Sequence, residues 1–188
     1  MSPPTLEGAR VRLRGYRDDD ADALFAVFGD PRVTRYWSFA AWTDRAQAEA
    51  HLAKLLASPE PDALGWAIAR RADDALIGTV TLYAIRTAHR RAELGYSLRV
   101  DHQGQGLARE AVRLALDYAL GDAHGDAHRS LGLFRIEADV DPRNAASCRM
   151  LEQLGFQREG LLRARWRVNG EVCDTALFGL VADDYRPG

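Results

Sequence analysis

A chain of 188 residues suits one domain, spanning 1–188, with a single sizeable core, and 47% hydrophobic with 28% charged content is ordinary for a soluble globular protein. A formal net charge of -2 gives no general attraction to nucleic acid or to an anionic membrane, and no apolar run approaches the roughly 18 residues of a membrane span. The first residues, "MSPPTLEGARVRLRG", lack the charged-then-apolar order of a signal peptide, so the expected location is cytoplasmic.

In chain order, "ARVRLRGY" (9–16) alternates Val11 and Leu13 with arginines and predicts a half-buried strand. The acidic start of "RDDDADALFAVFGD" suits a helix N-terminus, and Gly29-Asp30-Pro31 stops that helix. "RVTRYWSFAAW" reads as aromatic and irregular. A second helix, capped by Thr43 or Asp44, runs through "RAQAEAHLAKLLA". "GWAIARR", "ALIGTVTLYAI" and "RAELGYSLRV" are three short strands of an antiparallel meander. Leu107, Ala111, Leu114, Ala115 and Tyr118 then fall on one helical face. "LFRIEADV" is a strand, and "NAASCRMLEQLG" is a helix ended by Gly155. "QREGLLRARWRV" and "EVCDTALFGLV" form a hairpin about the Asn169-Gly170 turn. The pattern predicts one α/β domain with a largely antiparallel sheet.

The stretch "DHQGQGLAREAV" (101–112) joins a strand to a helix whose first N–H groups have no intrahelical partners. Gly104 and Gly106 let the backbone turn sharply and let a ligand approach. Amides converging at the positive end of a helix suit an anion such as phosphate. A Walker loop is excluded, because Leu107 and Ala108 follow Gly106 where Lys-Ser/Thr would be needed. A dinucleotide fingerprint is excluded by Arg109 and by the preceding meander. Read by itself, the segment is either an anion cradle or a tight turn with nothing bound.

Gln103 to Ala108 matches Q-x-x-G-x-A, which resembles the acyl-CoA pyrophosphate loop of the GNAT N-acetyltransferase superfamily. "AELGYSL" before it looks like that family's fourth strand, and "NAASCRMLEQLGF" like its helix after the fifth. "LEGARVRLRGYRDDDADAL" and "EGLLRARWRVNGEVCDTALFGLVADDY" are similar to the two ends of the RimJ/RimL-like branch of ribosomal-protein N-terminal acetyltransferases. The resemblance covers nearly the whole chain in the right order. It implies the GNAT fold, a central, mostly antiparallel mixed sheet of about seven strands with helices on both faces. It implies acetyl-CoA as co-substrate, no metal, and direct transfer of an acetyl group to a primary amine. The acceptor it favours is a peptide or protein N-terminus, with small amines open. Neither nucleic acid nor membrane is an expected partner. A homodimer is compatible with the exposed sheet edge. The alternative is a non-catalytic acyl-CoA-binding or protein-interaction module with the same fold.

Carried over residue by residue, the resemblance puts the amides of Gln103, Gly104, Gln105, Gly106, Leu107 and Ala108 on the pyrophosphate. Arg109 either adds a charge there or is a solvated helix arginine. The backbone of Leu98 to Val100 would pair with the pantetheine arm. Asn144 is either a helix N-cap or a pantetheine ligand, the latter favoured, with Ser147 one turn on. Glu93 is the candidate base, the other reading being a surface carboxylate paired with Arg90 or Arg91. The tyrosine that many relatives carry in the last helix is replaced by Leu151, and Ser147 is the substitute proton donor. Asp174 could hold a cationic amine or pair across the strands with Arg165 or Arg167. Tyr36, Trp37, Phe39 and Trp42 form either an acceptor wall or a core-covering loop.

Three other features stand apart. "GDAHGDAH" (121–128), with His124 and His128, reads as a solvated loop. His102 is expected to be exposed. Cys148 and Cys173 are expected to be free thiols, Cys148 in a packing role.

Overall fold

The computed structural model describes residues 3–57, 61–121 and 130–187. Eight strands and five helices follow in the order β1 (Leu6–Glu7), β2 (Val11–Arg14), α1 (Ala21–Phe28), α2 (Pro31–Thr34), α3 (Arg45–Ala57), β3 (Leu64–Arg70), β4 (Leu76–Arg86), β5 (Arg91–Leu98), α4 (Leu107–Leu120), β6 (Arg135–Val140), α5 (Ala145–Gln153), β7 (Gln157–Val168) and β8 (Glu171–Val181). They build one mixed sheet in the order β1-β2-β3-β4-β5-β6-β8-β7. Every neighbouring pair is antiparallel except β5 and β6. The sheet has eight strands where about seven were expected, because the two residues Leu6–Glu7 pair with Leu13 and Arg12. No helix among the described residues is long and apolar enough to cross a membrane.

Strand alternation sends side chains to two separate cores. Leu64, Trp66 and Ile68 of β3, with Val80 and Leu82 of β4, join the larger one under α4 and α5. Ala67 and Leu76 join the smaller one, formed with α1, α3 and the aromatic segment after α2. Trp66 is fully buried, and its indole N–H donates to the Pro4 carbonyl at 2.8 Å. The buried stripe of α4 is broader than the spacing predicted. Val112, Leu116, Ala119 and Leu120 join Leu107, Ala111 and Ala115, whereas Leu114 and Tyr118 lie at its margin.

The first helix ends at Gly29 as expected, with right-handed geometry at that glycine (φ -81). The irregular aromatic segment contains a short helix, α2, with Pro31 at its first position and the Asp30 side chain accepting from Arg32 N–H. Helix α3 begins where predicted, and Asp44 Oδ1 accepts the Ala46 N–H at 2.9 Å. Asn169 and Gly170, both at positive φ, make the hairpin turn between β7 and β8.

A buried ion pair fixes the first helix. Arg14 donates to both carboxylate oxygens of Asp20 at 2.8 Å, and each side chain is about 95% buried (6% and 5% exposed). Asp20 Oδ2 also accepts the Arg17 N–H at 2.8 Å, so the carboxylate is used up in the β2–α1 connection and leaves its own helix without a side-chain cap. Breaking such a pair strands a buried charge. Asp20→Ala is expected to cost about 3–5 kcal/mol in urea unfolding. Asp22→Ala, which removes the exposed partner of Arg45, is expected to leave the midpoint essentially unchanged.

Candidate active site

Strands β5 and β6 run parallel and pair only at Arg91↔Arg135, Ala92↔Ile136 and Glu93↔Glu137. Beyond Glu93, β5 continues to Leu98 still paired with β4, and β6 continues to Val140 still paired with β8. The two strands part without a register shift between them. A register irregularity lies on the other side of β5, between Tyr83 and Arg86 of β4, where Ala84 adopts φ 48. The result is a wedge in the middle of the sheet, lined by residues of both faces. It is part of a cavity of about 1130 Å³.

Alternation determines what each side of the wedge carries. On the α1/α3 side lie Thr79, Thr81, Tyr83, Glu93, Gly95 and Asp139, roofed by Tyr36, Trp37 and other aromatic side chains. On the α4/α5 side lie Leu94, Tyr96, Ala138, Val140, Asn144 and Ser147. Glu93 forms no ion pair among the described residues. Arg91 pairs instead with Glu137, and Arg90 donates to the Gly132 carbonyl at 2.7 Å. Glu93 faces the Tyr83 phenol, whose ionisation is pushed up by burial and then by the carboxylates of Glu93 and Asp139.

Ser147 Oγ is hydrogen-bonded to the Tyr96 hydroxyl. Burial, partly offset by that bond, pushes the Tyr96 phenol up to about 12. Leu151, at the position where many relatives of the expected family carry a tyrosine, is fully buried in the larger core. Tyr96 therefore puts a phenol in the cleft from a strand instead of from α5. The sequence reading missed it. The signal available was an aromatic two residues before the end of β5, on the side facing α5. Asn144 is the cap of α5, its Oδ1 accepting the Ser147 N–H at 3.2 Å, so it orients the serine it precedes. Cys148 packs against the larger core, and both cysteines are free thiols.

The glycine loop follows. Gly104 and Gly106 have φ 72 and 77, a region costly for other residues, and Gly106 is the N-cap of α4. The first helical bond runs from Glu110 N–H to the Gly106 carbonyl, leaving the N–H groups of Leu107, Ala108 and Arg109 outside the helical ladder. Gln103 braces the loop by donating its side-chain amide to the Leu98 carbonyl at 2.8 Å. Arg109 leans toward α5, with NH1 3.5 Å from Gln153 Oε1. Val100 does not extend the strand edge as expected. The strand ends at Leu98, and Val100–His102 is a single 3-10 turn whose Val100 carbonyl accepts the Gln103 N–H. His102 is 12% exposed, bonded through Nδ1 to Asp101, where an exposed ring was expected.

The acceptor-side candidates divide. Trp37 packs edge-on to Phe28 and against Phe39, so it belongs to the smaller core and the cavity wall together. Tyr36 stands at the cavity with Arg35 and Arg143 over its ring, at 5.3 and 6.0 Å. Asp174 lines the cavity and, of the two readings, does not make the cross-strand pair with Arg165 or Arg167. It accepts the Ala164 N–H at 2.8 Å, at a bulge in β7 where Ala164 has φ 53. Arg165 reaches Asp139 instead, at 3.3 Å. Burial pushes the Asp139 carboxyl up against the pull of that arginine. Among the described residues no cluster of three or more His, Cys, Asp or Glu is placed to hold a metal. His124 and His128, with Asp122 and Asp126, lie outside the described residues.

Comparison with known proteins agrees with this geometry. The family model described as "Acetyltransferase (GNAT) domain" matches residues 10–157. The chain is 37% identical to the uncharacterized N-acetyltransferase p20 of Bacillus licheniformis, over 96% of this chain and 98% of that protein. It is 28% identical to the spermidine N(1)-acetyltransferase of Escherichia coli K12, over 86% and 80%. It is 32% identical to the [ribosomal protein uS5]-alanine N-acetyltransferase of the same organism, over 55% and 50%. A GCN5-related N-acetyltransferase from Brucella melitensis superposes with a TM-score of 0.80 at 27% identity, over 96% of this chain and 80% of that one. The spermidine N-acetyltransferase of Vibrio cholerae, solved with CoA and spermine, shares the fold with a TM-score of 0.80 at 23% identity, over 95% and 99%.

The raised Tyr96 phenol has a directly measurable consequence. In the unfolded chain it ionises near 10.0, and in the folded chain only at about 12. Its contribution to stability is therefore complete below the unfolded value and is lost as pH rises through the folded one. The tyrosinate absorbance difference between the native protein and Tyr96→Phe is expected to appear only near the folded value or on alkaline unfolding. Titration of that difference near the ordinary phenol value would contradict the assignment.

Proposed function

The chain belongs to the GNAT acetyltransferase family and is an N-acetyltransferase, and from that premise we propose that the wedge between β5 and β6 is where acetyl-CoA meets a peptide or protein N-terminal amine. The observation that carries this reading is the parting of the two strands. It joins the amide loop side of the sheet to the aromatic cavity through one opening, with Glu93 on one face and the Tyr96–Ser147 pair on the other.

The residues present fit the donor. The N–H groups from Gly104 to Arg109 would hold its pyrophosphate, and the Leu94–Leu98 edge of β5, which has lost its β6 partner, would pair with its pantetheine arm. When bound, acetyl-CoA supplies an acetyl thioester for the amine to attack and a thiol to leave. Glu93, directly or through a water, takes the proton that the amine nitrogen gives up as its bond to the acetyl carbon forms. As the carbon–sulfur bond breaks, the proton for the sulfur comes from the Tyr96–Ser147 pair, whose phenol is held protonated near neutral pH by burial. Asn144 keeps Ser147 in place through its cap. The protein's main contribution is to hold the amine beside the thioester in one orientation.

The acceptor class follows from the charge around the cavity. Apart from Glu93, the carboxylates lining it are engaged. Asp139 pairs with Arg165, Asp141 with Arg143, and Asp174 holds the Ala164 N–H. A polycation would have to compete for each of them. An N-terminal amine needs one carboxylate, and the walls at Tyr36, Trp37 and Trp166 offer apolar surface to the residues behind it. The likeness to a ribosomal-protein alanine acetyltransferase supports the same acceptor and the RimJ/RimL-like branch, and the likeness to spermidine acetyltransferases supports a small-amine reading.

Thiol release from acetyl-CoA tests both parts. Glu93→Gln is expected to lower kcat by about a hundredfold or more, and Tyr96→Phe and Ser147→Ala each by roughly tenfold or more, with the double variant no worse than the stronger single one. Turnover unchanged in both hydroxyl variants would remove the pair from the mechanism. Across a panel of alanine- and serine-started peptides and spermidine, kcat/KM is expected to be highest with a peptide. A preference for spermidine would overturn the acceptor assignment.

A further inference from the structure

The turn between β1 and β2 lies against the glycine loop although 95 positions separate Arg10 from Gln105. Arg10 is the contact. Its backbone N–H donates to Glu110 Oε1 at 2.7 Å and its Nε to Glu110 Oε2 at 2.9 Å, and Val11 N–H shares Oε1 at 3.2 Å. Glu110 lies in the first turn of α4, and its carboxyl is held below the usual range, the bonds from Arg10 and Val11 outweighing its burial. The turn is close-packed there, since a Cβ on Gly8 would stand 2.7 Å from Glu110 Oε1.

Anchored on α4 in this way, the guanidinium extends NH1 to the Gln105 carbonyl at 2.8 Å. Its NH2 lies 3.3 Å from where a Cβ on Gly106 would be. The Gln105 carbonyl and the Gly106 N–H belong to one trans peptide plane, so they point in opposite directions. Drawing the carbonyl toward Arg10 aims the Gly106 N–H to the other side of the loop. That N–H makes no hydrogen bond among the described residues. It lies next to the free amides of Leu107 to Arg109.

We propose that Arg10 is a positioning residue for the donor: by holding the Gln105–Gly106 peptide it presents the Gly106 N–H to the pyrophosphate of acetyl-CoA. This rests on the reading of the loop as the pyrophosphate cradle. Arg10 touches neither donor nor acceptor and acts through the backbone it grips. An ordinary exposed ion pair would stabilise the fold slightly and leave kinetics alone.

Two donors separate these outcomes. Acetyl-CoA carries the pyrophosphate, and S-acetylpantetheine carries the same thioester and arm without it. Arg10→Ala is expected to raise KM for acetyl-CoA roughly five- to tenfold, as for one lost charge-assisted hydrogen bond, with KM for S-acetylpantetheine, KM for the acceptor and kcat all within about twofold. Arg10→Lys keeps the charge but cannot span Glu110 and Gln105 together. It is expected to move the acetyl-CoA KM in the same direction by less, and it decides the matter alone if Arg10→Ala fails to fold. An unchanged acetyl-CoA KM, or an equal rise with both donors, would overturn the proposal. A wild-type enzyme with equal KM for the two donors would overturn the cradle reading itself, a result distinct from any effect of Arg10.

Discussion

The fold depends on a parallel strand pair that is allowed only three residue pairs before it opens. A backbone edge in the middle of a sheet is costly, because its N–H and C=O groups have lost their partners. Here the opening is held from outside. Glu137 receives Arg91 from β5 and Arg135 from its own strand, and Arg135 continues across β8 to Glu159 of β7 at 3.0 Å. The path crosses Gly179, where any Cβ would stand 2.5 Å from Glu159 Oε1 and 2.6 Å from Arg135 NH2. This chain of charges ties β5, β6 and β7 together across β8 at the closed end of the wedge. Beyond it each strand follows its own neighbour, β5 with β4 and β6 with β8. The unpaired edge is the feature that suits a co-substrate with amide groups along its arm, since binding would restore the hydrogen bonds that the fold gives up.

The same opening sorts the chemistry. A strand presents alternate residues to opposite faces, so Glu93 and Tyr96, an odd number of positions apart, project to the two sides of one sheet. The proposed roles, base for Glu93 and part of a proton donor for Tyr96, rest on what surrounds each. Glu93 faces the aromatic cavity without an ion-pair partner among the described residues. Tyr96 is tied to Ser147 and buried against α5, and the burial keeps its phenol neutral. The glycine loop is braced on both flanks, by Gln103 on the β5 end and by Arg10 with Glu110 on the α4 start. The loop and the hydroxyl pair thus both hang on β5, the loop through Gln103 at Leu98 and the pair through Tyr96.

Much of this was legible in the amino-acid order. Alternation marked β2, consecutive short strands marked the meander, the i, i+4 spacing marked α4, Asn-Gly marked the hairpin and Gly155, at φ 96, marked the end of α5. Gly104 and Gly106 stood out because only glycine takes their backbone geometry cheaply. Other features had no local signature. A two-residue strand such as Leu6–Glu7 is too short to show a period. The point where β5 leaves β6 is a property of two strands far apart in sequence, and Val100 was assigned to the strand because its residue type does not reveal that the pairing with β4 stops at Leu98. The Tyr96–Ser147 and Arg10–Gln105 contacts span 51 and 95 positions. Asp174 was read from its charge, whereas its partner is a backbone N–H exposed by the bulge at Ala164, which the β-strand pattern does not predict.

The most direct test of the account is amide hydrogen exchange of the whole protein with and without CoA. If the unpaired edge and the glycine loop together form the donor site, exchange slows only in the segment from Leu94 to Arg109, with the β7–β8 hairpin unchanged. Protection elsewhere with that segment unaffected, or no protection at saturating CoA, would contradict the claim that the parting of β5 and β6 is what receives the donor.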